Sequence, residues 1–520
     1  MLHRIKNEIK ENKKYIYLSY LITLLTMLPQ TIATSAEDVE HLTFLLIVFF
    51  TLLLIAKFNK LLFAIFVIYI NLTNIIIGHI FLHWGYFGAD IGPRIDVSAV
   101  SPLYESIEYL MAYIDFRDIL LFVYTFFVLL LLYKFLLHFR HSFRVVRFVG
   151  FIAATSIIVA LSYYSNPLIY KEPFSIPNKY IDAQKYTQLY DARSGYLESL
   201  NTAVIENNNS IYDKIVLIQG ESVNKHHMSI YGYAKKTTPY FSSLKAQKKI
   251  YIFNAIAPTD QTRFSIPILH TQANVDDFED AFVHSRSIVG ELKMQNYKTY
   301  WISNQGEAGE HDSSIASMAQ EADVQHFENI NYMSAQTDEA LLPFLFDIRD
   351  NPDKEFYFIH LMGSHVDYAK RYTHEHSLFQ DPTTIDEEYD NTIFYTDSIL
   401  KNIFTHFTEK FPDKKILIIY VSDHGEIIHK NRHGHGFLPP FKEEFDVPFV
   451  IYSNIKNSKI DELYKKNKKV YFNLESLNTM LTFLNGLSDD ANISSSGDVF
   501  AIDPANIFNY NMLQFYKDAK

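Results

Sequence analysis

Five apolar runs, at 15–34, 42–56, 61–84, 118–139 and 148–164, crowd the first third of this 520-residue chain. They constrain the fold more than any other feature. A helix needs ~20 apolar residues to cross ~30 Å of hydrocarbon, and long charge-free stretches set this close together cannot be solvated by water. The second and fourth runs hold only about 15 uninterrupted apolar residues each, and reach across only if flanking Lys and His side chains snorkel. Residues 1–164 are therefore read as a membrane domain of five transmembrane helices.

The basic residues orient it. Arg4, Lys6, Lys10, Lys13 and Lys14 precede the first run, Lys57 and Lys60 separate the second and third, and Lys134, Arg140, Arg144 and Arg147 separate the fourth and fifth. With five spans, these three segments share one side, which the positive-inside rule makes cytoplasmic. The opposite segments, 36–41 and 86–117, are acidic. Everything after residue 164 then lies on the far side of the membrane. The first run ends in Ala33-Thr34-Ser35-Ala36 and has the look of a signal peptide, but the rest of the chain is exported on either reading. A stretch at 104–113 reads as a short amphipathic helix on the membrane surface. Residues 165–213, with Pro, Tyr and mixed charge, read as a linker with interfacial helices.

Charge separates the two parts. Residues 1–164 hold 13 Lys and Arg against 11 Asp and Glu, and the remainder holds 34 against 48. An acidic exported part lacks the basic face that nucleic-acid binding requires. The chain has no cysteine, which excludes disulfides, iron–sulfur clusters and thiolate zinc sites.

From Lys214 the pattern changes. Short β-rich runs at 215–219, 251–257, 297–303, 356–362, 416–421 and 447–452 alternate with helix-like segments near 285–295, 338–349 and 386–407. This is the pattern of an α/β domain, over 214–510, with a mostly parallel central sheet flanked by helices. In such folds the working residues gather beyond the carboxyl ends of the strands.

Three strand ends carry suitable chemistry. The first run ends in Gln219-Gly220-Glu221-Ser222, the fourth in His360-Leu361-Met362-Gly363-Ser364-His365, the fifth in Ser422-Asp423-His424-Gly425-Glu426. If these strands are neighbours, Glu221, Asp423 and His424 converge as ligands for a divalent metal, and the adjacent glycines let backbone come close. Taken singly, an Asp-His pair is more often a cap with a bonded histidine, and a lone Glu is more often solvated. A nucleophile is available in Thr259-Asp260-Gln261-Thr262-Arg263-Phe264-Ser265-Ile266-Pro267, after the second strand. A metal-activated hydroxyl at the start of a helix suits phosphoryl chemistry, although Thr259 and Thr262 serve equally well as N-caps.

The texts IVLIQGESVNKHHMSIYGYAKKTTPYFSSL, TRFSIP, HLMGSH, VSDHGE and HGHGF followed by VPFVIY occur in that order behind five membrane spans. With them the chain resembles the bacterial phosphoethanolamine transferases, among them the enzymes that decorate lipid A and confer polymyxin resistance. These lie in the sulfatase/alkaline-phosphatase superfamily. The resemblance implies an inner-membrane anchor with a periplasmic alkaline-phosphatase-like (sulfatase-like) domain. It implies transfer of phosphoethanolamine from phosphatidylethanolamine to lipid A, another glycan or a protein, through a phosphothreonine intermediate. By the same resemblance, Glu221, Thr262, Asp423 and His424 bind Zn2+ and Thr262 is the nucleophile. His365 and His435 bind the phosphoryl group or move protons, His360 lines the same loop, and Asn304 lies in the substrate region.

The sequence also departs from that family. Several periplasmic disulfides common in it are absent. A lysine that holds the phosphoryl group in some members has no counterpart after Trp301, where Asn304 and Gln305 stand. Of an Asn-x3-Thr-x3-Glu pattern on the membrane side, Ser101 and Glu105 fit only part. The acceptor is therefore open, as is the oligomeric state. A lipoteichoic-acid-type phosphoglycerol transferase and an exported sulfatase-like phosphodiesterase are the alternative readings. Against a sulfatase stands the nucleophile loop, TRFSIP in place of C/S-x-P-S-R. A transporter or sensor would need more intramembrane charge than the spans carry.

Overall fold

The computed structural model describes residues 13–33, parts of 48–56, 59–84, 114–138, 189–200 apart from 190, and 210–516 apart from short breaks at 306–313, 329–335, 350–353, 430–431, 490–492, 496 and 503. These residues fall into two compact units, one from the N-terminal region and one from the remainder.

The first unit contains three long helices, α1 (Lys13–Ala33), α2 (Lys60–Trp84) and α3 (Phe116–His138). They coincide with the first, third and fourth apolar runs. Residues of the second run are helical where described, whereas the fifth run, the stretch 104–113 and the basic residues at 140–147 lie outside the described residues. By length and composition, Lys60–His79 and Phe116–Leu137 can cross a membrane. Around an apolar core, this unit also turns large apolar side chains outward and buries a few polar ones, unlike a water-soluble bundle. Leu61, Val123 and Phe126 are among its most exposed side chains, whereas Thr23, Thr26, Asn71 and Asn74 are buried. Asn71 Nδ2 donates to Thr26 Oγ1 at 3.1 Å, and Asn74 Nδ2 donates to the Thr26 carbonyl at 2.8 Å. Interhelical amide and hydroxyl bonds of this kind hold helices together where the solvent is hydrocarbon.

The second unit is built on a sheet. Its strands are β1 (Lys214–Gly220), β2 (Ile250–Ile256), β3 (Tyr297–Ser303), β4 (Val324–Phe327), β5 (Lys354–His360), β6 (Ile416–Ser422), β9 (Asp446–Ser453) and β10 (Phe472–Asn473), while β7 (Ile427–His429) and β8 (Arg432–Gly434) form a separate hairpin. The order is β10-β2-β9-β6-β1-β5-β3-β4. All neighbours are parallel except β9, which runs antiparallel to both β2 and β6. β1 and β6 are buried along their whole lengths, as unbroken apolar strands covered on both faces must be. Trp301 stacks on Phe358 at 3.9 Å between ring centroids, fixing β3 against β5. At the amino-terminal ends of the central strands β1 and β5, Lys214 and Glu355 form a fully buried ion pair.

The six expected strands match β1, β2, β3, β5, β6 and β9. Edge strands β4 and β10 escape sequence reading because four and two residues are too short to display alternation. The expected helices correspond to Ile288–Met294, Leu341–Asp347 and Ile385–Lys410. The described part of 165–213 is more than a tether. Its Arg193 is fully buried and donates to the carbonyls of Phe282 and Ser285 at 3.1 and 3.2 Å, with Glu321 as its ionic partner.

Candidate metal centre and nucleophile

Register brings the three strand ends together. Gln219 of β1 stands opposite His360 of β5, and Gly220 opposite Ser422 of β6. The residues that follow, Glu221, Leu361 and Asp423, therefore leave the sheet side by side. Glu221, Asp423 and His424 are each fully buried, and one ligand atom from each lies within 4.8 Å of the others. His424 Nε2 is 3.3 Å from Glu221 Oε1 and 3.4 Å from Asp423 Oδ2.

Thr262 completes the group. It begins the nine-residue helix Thr262–His270 that follows β2. Its Oγ1 lies 3.2 Å from both carboxylate oxygens of Glu221 and 3.2 Å from His424 Nε2. Unlike the other three it is only half-buried, so a substrate can reach it. Ser265, one turn on, donates to the Asp423 carbonyl at 2.6 Å and ties the helix start to the end of β6.

The surrounding loops are fixed by specific contacts. Ser222 takes a left-handed φ of 59°, its N–H donates to Asp423 Oδ1 at 3.1 Å, and its hydroxyl donates to Glu221 Oε1 at 2.9 Å. Tyr389 donates to the Ser222 carbonyl and accepts from the Asn224 N–H. The buried carboxylate of Asp338 accepts from the N–H groups of Met362 and Gly363, holding the loop after β5. Gly363 has φ +54°, and a Cβ there would meet Glu221 backbone oxygen at 2.8 Å. Gly425 sits where a Cβ would lie 2.1 Å from the Glu443 carbonyl, which explains the glycine directly after Asp-His.

Charge is crowded here. Burial opposes the charge on Glu221, yet His424 and His365 hold its pKa well below the usual carboxylate range. Burial and the adjacent Glu221 push Asp423 up to about 7. Burial works against a charged His424, but Asp423 and Glu221 hold it up to about 10. Two carboxylates this close cannot both stay ionised without a compensating cation. Asp423 Oδ2 is buried with no hydrogen-bond donor on it. Two carboxylates, one imidazole and one hydroxyl form a donor set of the hard and borderline type that fits a divalent ion such as zinc.

The histidines occupy three different places. His365 is half-buried, with Nδ1 2.6 Å from the Val366 carbonyl, and Arg371 donates to the carbonyls of both residues. His435 follows the β7–β8 hairpin; its ring centroid is 4.0 Å from that of His424 and its Nδ1 is 3.3 Å from Glu426 Oε1. His360 is fully buried, and burial lowers its pKa to about 4, which keeps its ring neutral. Asn304 is also buried, with its amide committed to Asp338 and the Gln336 carbonyl. The neighbouring residue does reach the cluster: Gln305 Nε2 donates to Glu221 Oε2 at 3.1 Å and to the Leu361 carbonyl at 3.3 Å. The site residues that sequence reasoning did not assign are Gln305, Ser222 and Glu426. Glu426 lay inside the Ser-Asp-His-Gly-Glu text, and Gln305 was noted only as standing, with Asn304, where some members of the resembled family carry a lysine.

The Sulfatase family profile matches residues 213–487, more than half of the chain. The chain belongs to the sulfatase family. The chain is 29% identical over 319 residues to the putative transferase YhbX of Escherichia coli O157:H7, covering 58% of this chain and 56% of that one. It is 27% identical over 266 residues to the phosphoethanolamine transferase EptC of Escherichia coli O18:K1:H7, covering 46% and 45%. The chain thus spans about half the length of the curated relatives it matches. Among solved structures, the integral membrane lipooligosaccharide phosphoethanolamine transferase A of Neisseria meningitidis superposes with a TM-score of 0.60 at 16% identity, over 90% of this chain and 95% of that chain. A zinc complex of the periplasmic domain of EptC from Escherichia coli gives 0.51 at 20% identity, over 60% and 98%. These likenesses show the fold: an N-terminal helical part followed by an α/β domain of the sulfatase family with a mostly parallel central sheet.

Proposed function

We propose that this protein is a zinc-dependent phosphoethanolamine transferase of the bacterial inner membrane, multi-pass, with its catalytic domain in the periplasm. It takes phosphoethanolamine from phosphatidylethanolamine and passes it to lipid A or another cell-envelope acceptor. The observation that carries the reading is Thr262 Oγ1, accessible, at a helix start, and 3.2 Å from both Glu221 and His424. The named activities of the curated relatives support it.

Glu221, Thr262, Asp423 and His424 are the residues that would hold the ion. When bound, zinc supplies positive charge that offsets the two carboxylates and lowers the pKa of a coordinated hydroxyl. Thr262 Oγ1, its proton released to solvent, attacks the phosphorus of the donor headgroup. An O–P bond forms, the P–O bond to diacylglycerol breaks, and His365 or His435 gives the departing oxygen a proton. The acceptor hydroxyl then loses its proton to the same imidazole and attacks the phosphothreonine, returning Thr262. The N–H groups at the start of the Thr262–His270 helix favour the negative phosphoryl oxygens.

Intact-mass spectrometry of the detergent-purified chain with zinc and phosphatidylethanolamine tests this. A gain of one phosphoethanolamine, lost in Thr262→Ala, is the expected result. Diacylglycerol release from phosphatidylglycerol alone would replace the reading with a phosphoglycerol transferase. Reaction with neither lipid would favour an exported phosphodiesterase.

A further inference from the structure

The edge of the sheet that bears the candidate site also carries an exposed apolar and basic patch that no step above uses. Tyr471 precedes β10, whose Phe472 pairs with Ala255 near the end of β2; Lys442 lies just before β9, whose Asp446 pairs with Ile256, the last residue of β2. The C-terminal segment closes over this edge. Lys442 Nζ sits 5.0 Å from the Tyr510 ring and 5.8 Å from the Phe515 ring. His226 meets Phe515 edge-on at 5.3 Å, and Tyr471 lies 6.3 Å from Tyr510.

On top of that aromatic strip, large apolar side chains face solvent. Met512 is 81% exposed, Ile507 50%, Tyr471 47% and Phe515 45%. Immediately before Tyr471 comes Lys465-Lys466-Asn467-Lys468-Lys469-Val470, with all four lysines exposed. The exported part of the chain is acidic, 34 basic against 48 acidic residues, so a local cluster of four lysines beside exposed Met, Ile and aromatic side chains runs against the general surface. Soluble domains rarely expose such side chains together unless something covers them.

We propose that this patch is a bilayer-docking surface that engages anionic phospholipid headgroups. The lysines complement lipid phosphate, the aromatic rings match the polar–apolar boundary, and Met512 and Ile507 enter the acyl margin. A bilayer is the occupant at hand, because the same chain carries helices long and apolar enough to cross one. Tethering makes even a weak contact effective, since the local lipid concentration is high. The inference stands apart from the transfer reaction and needs no turnover to test.

The absence of native cysteine makes the experiment direct. A single cysteine is introduced as Met512→Cys in the full-length chain, labelled with an environment-sensitive fluorophore, and the protein is placed in lipid nanodiscs containing doxyl-lipid quencher. The control is Asp413→Cys, an exposed position just before β6 on the opposite edge. With phosphatidylglycerol present, quenching at position 512 is expected to exceed that at 413 by at least twofold. It should fall when phosphatidylcholine is the sole lipid, or when Lys465, Lys466, Lys468 and Lys469 are all changed to Glu. Equal quenching at the two positions in both lipids overturns the proposal. So does efficient bis-maleimide cross-linking of two copies through position 512 without quenching, which would make the patch a self-association face.

Discussion

The side-chain amide of Gln305 donates a hydrogen bond to Glu221 Oε2 at 3.1 Å while Thr262 Oγ1 approaches the same carboxylate at 3.2 Å. Gln305 thus fixes the orientation of a proposed metal ligand from outside the ligand set. Outer partners of this kind commonly contribute about 10–100-fold in metal affinity. Gln305→Ala should weaken zinc binding by about that factor, read by competition with a chromophoric chelator. An unchanged affinity would make Gln305 a loop residue only.

Replacing Thr262 by Ala should lower transfer by on the order of 10³-fold or more, as loss of a covalent nucleophile does elsewhere. Thr262→Ser should keep part of the activity because it retains the oxygen. Steady-state rates of headgroup transfer check both, and a Thr262→Ala enzyme of near-normal rate would remove the covalent mechanism.

Gly363 adopts φ +54° with Glu221 backbone packed where a Cβ would go. Gly363→Ala combines left-handed strain with a contact of 2.8 Å against backbone that cannot swing away. A loss of about 1–3 kcal/mol in stability is expected, by denaturant titration, together with reduced zinc affinity because the displaced atoms belong to Glu221.

His270 is fully buried against Gln219, and burial lowers its pKa to about 3 from an ordinary 6.5. The unfolded chain therefore binds one more proton than the folded chain between those values. Stability from this residue is fully present above pH 6.5 and falls as pH drops toward 3, by about 1.4 kcal/mol per unit. His270→Gln can keep an amide toward Gln219 and has no such proton. Thermal unfolding between pH 4 and 7 should show a pH slope about one proton shallower in the variant; an unchanged slope would place the acid sensitivity elsewhere.

Periodicity and short texts in the sequence were enough to separate an apolar N-terminal part from an α/β part, to locate six strands, and to mark Glu221, Asp423 and His424 as candidates; Thr262 was singled out from Thr259 only by the family resemblance. These features are local: an apolar run, a strand that ends in Asp-His-Gly, a threonine at a helix start. Tertiary structure alone decided the register that sets Gly220 beside Ser422 and Gln219 beside His360, and so brings residues some 200 positions apart within 4.8 Å. It also decided that Asn304 turns inward to Asp338 while Gln305, one residue on, turns toward Glu221. Adjacent residues leaving a strand point in opposite directions, and which of them meets the site depends on where the neighbouring loop lies. That placement comes from Asp338 holding Met362 and Gly363, a contact between segments that one-dimensional spacing does not encode.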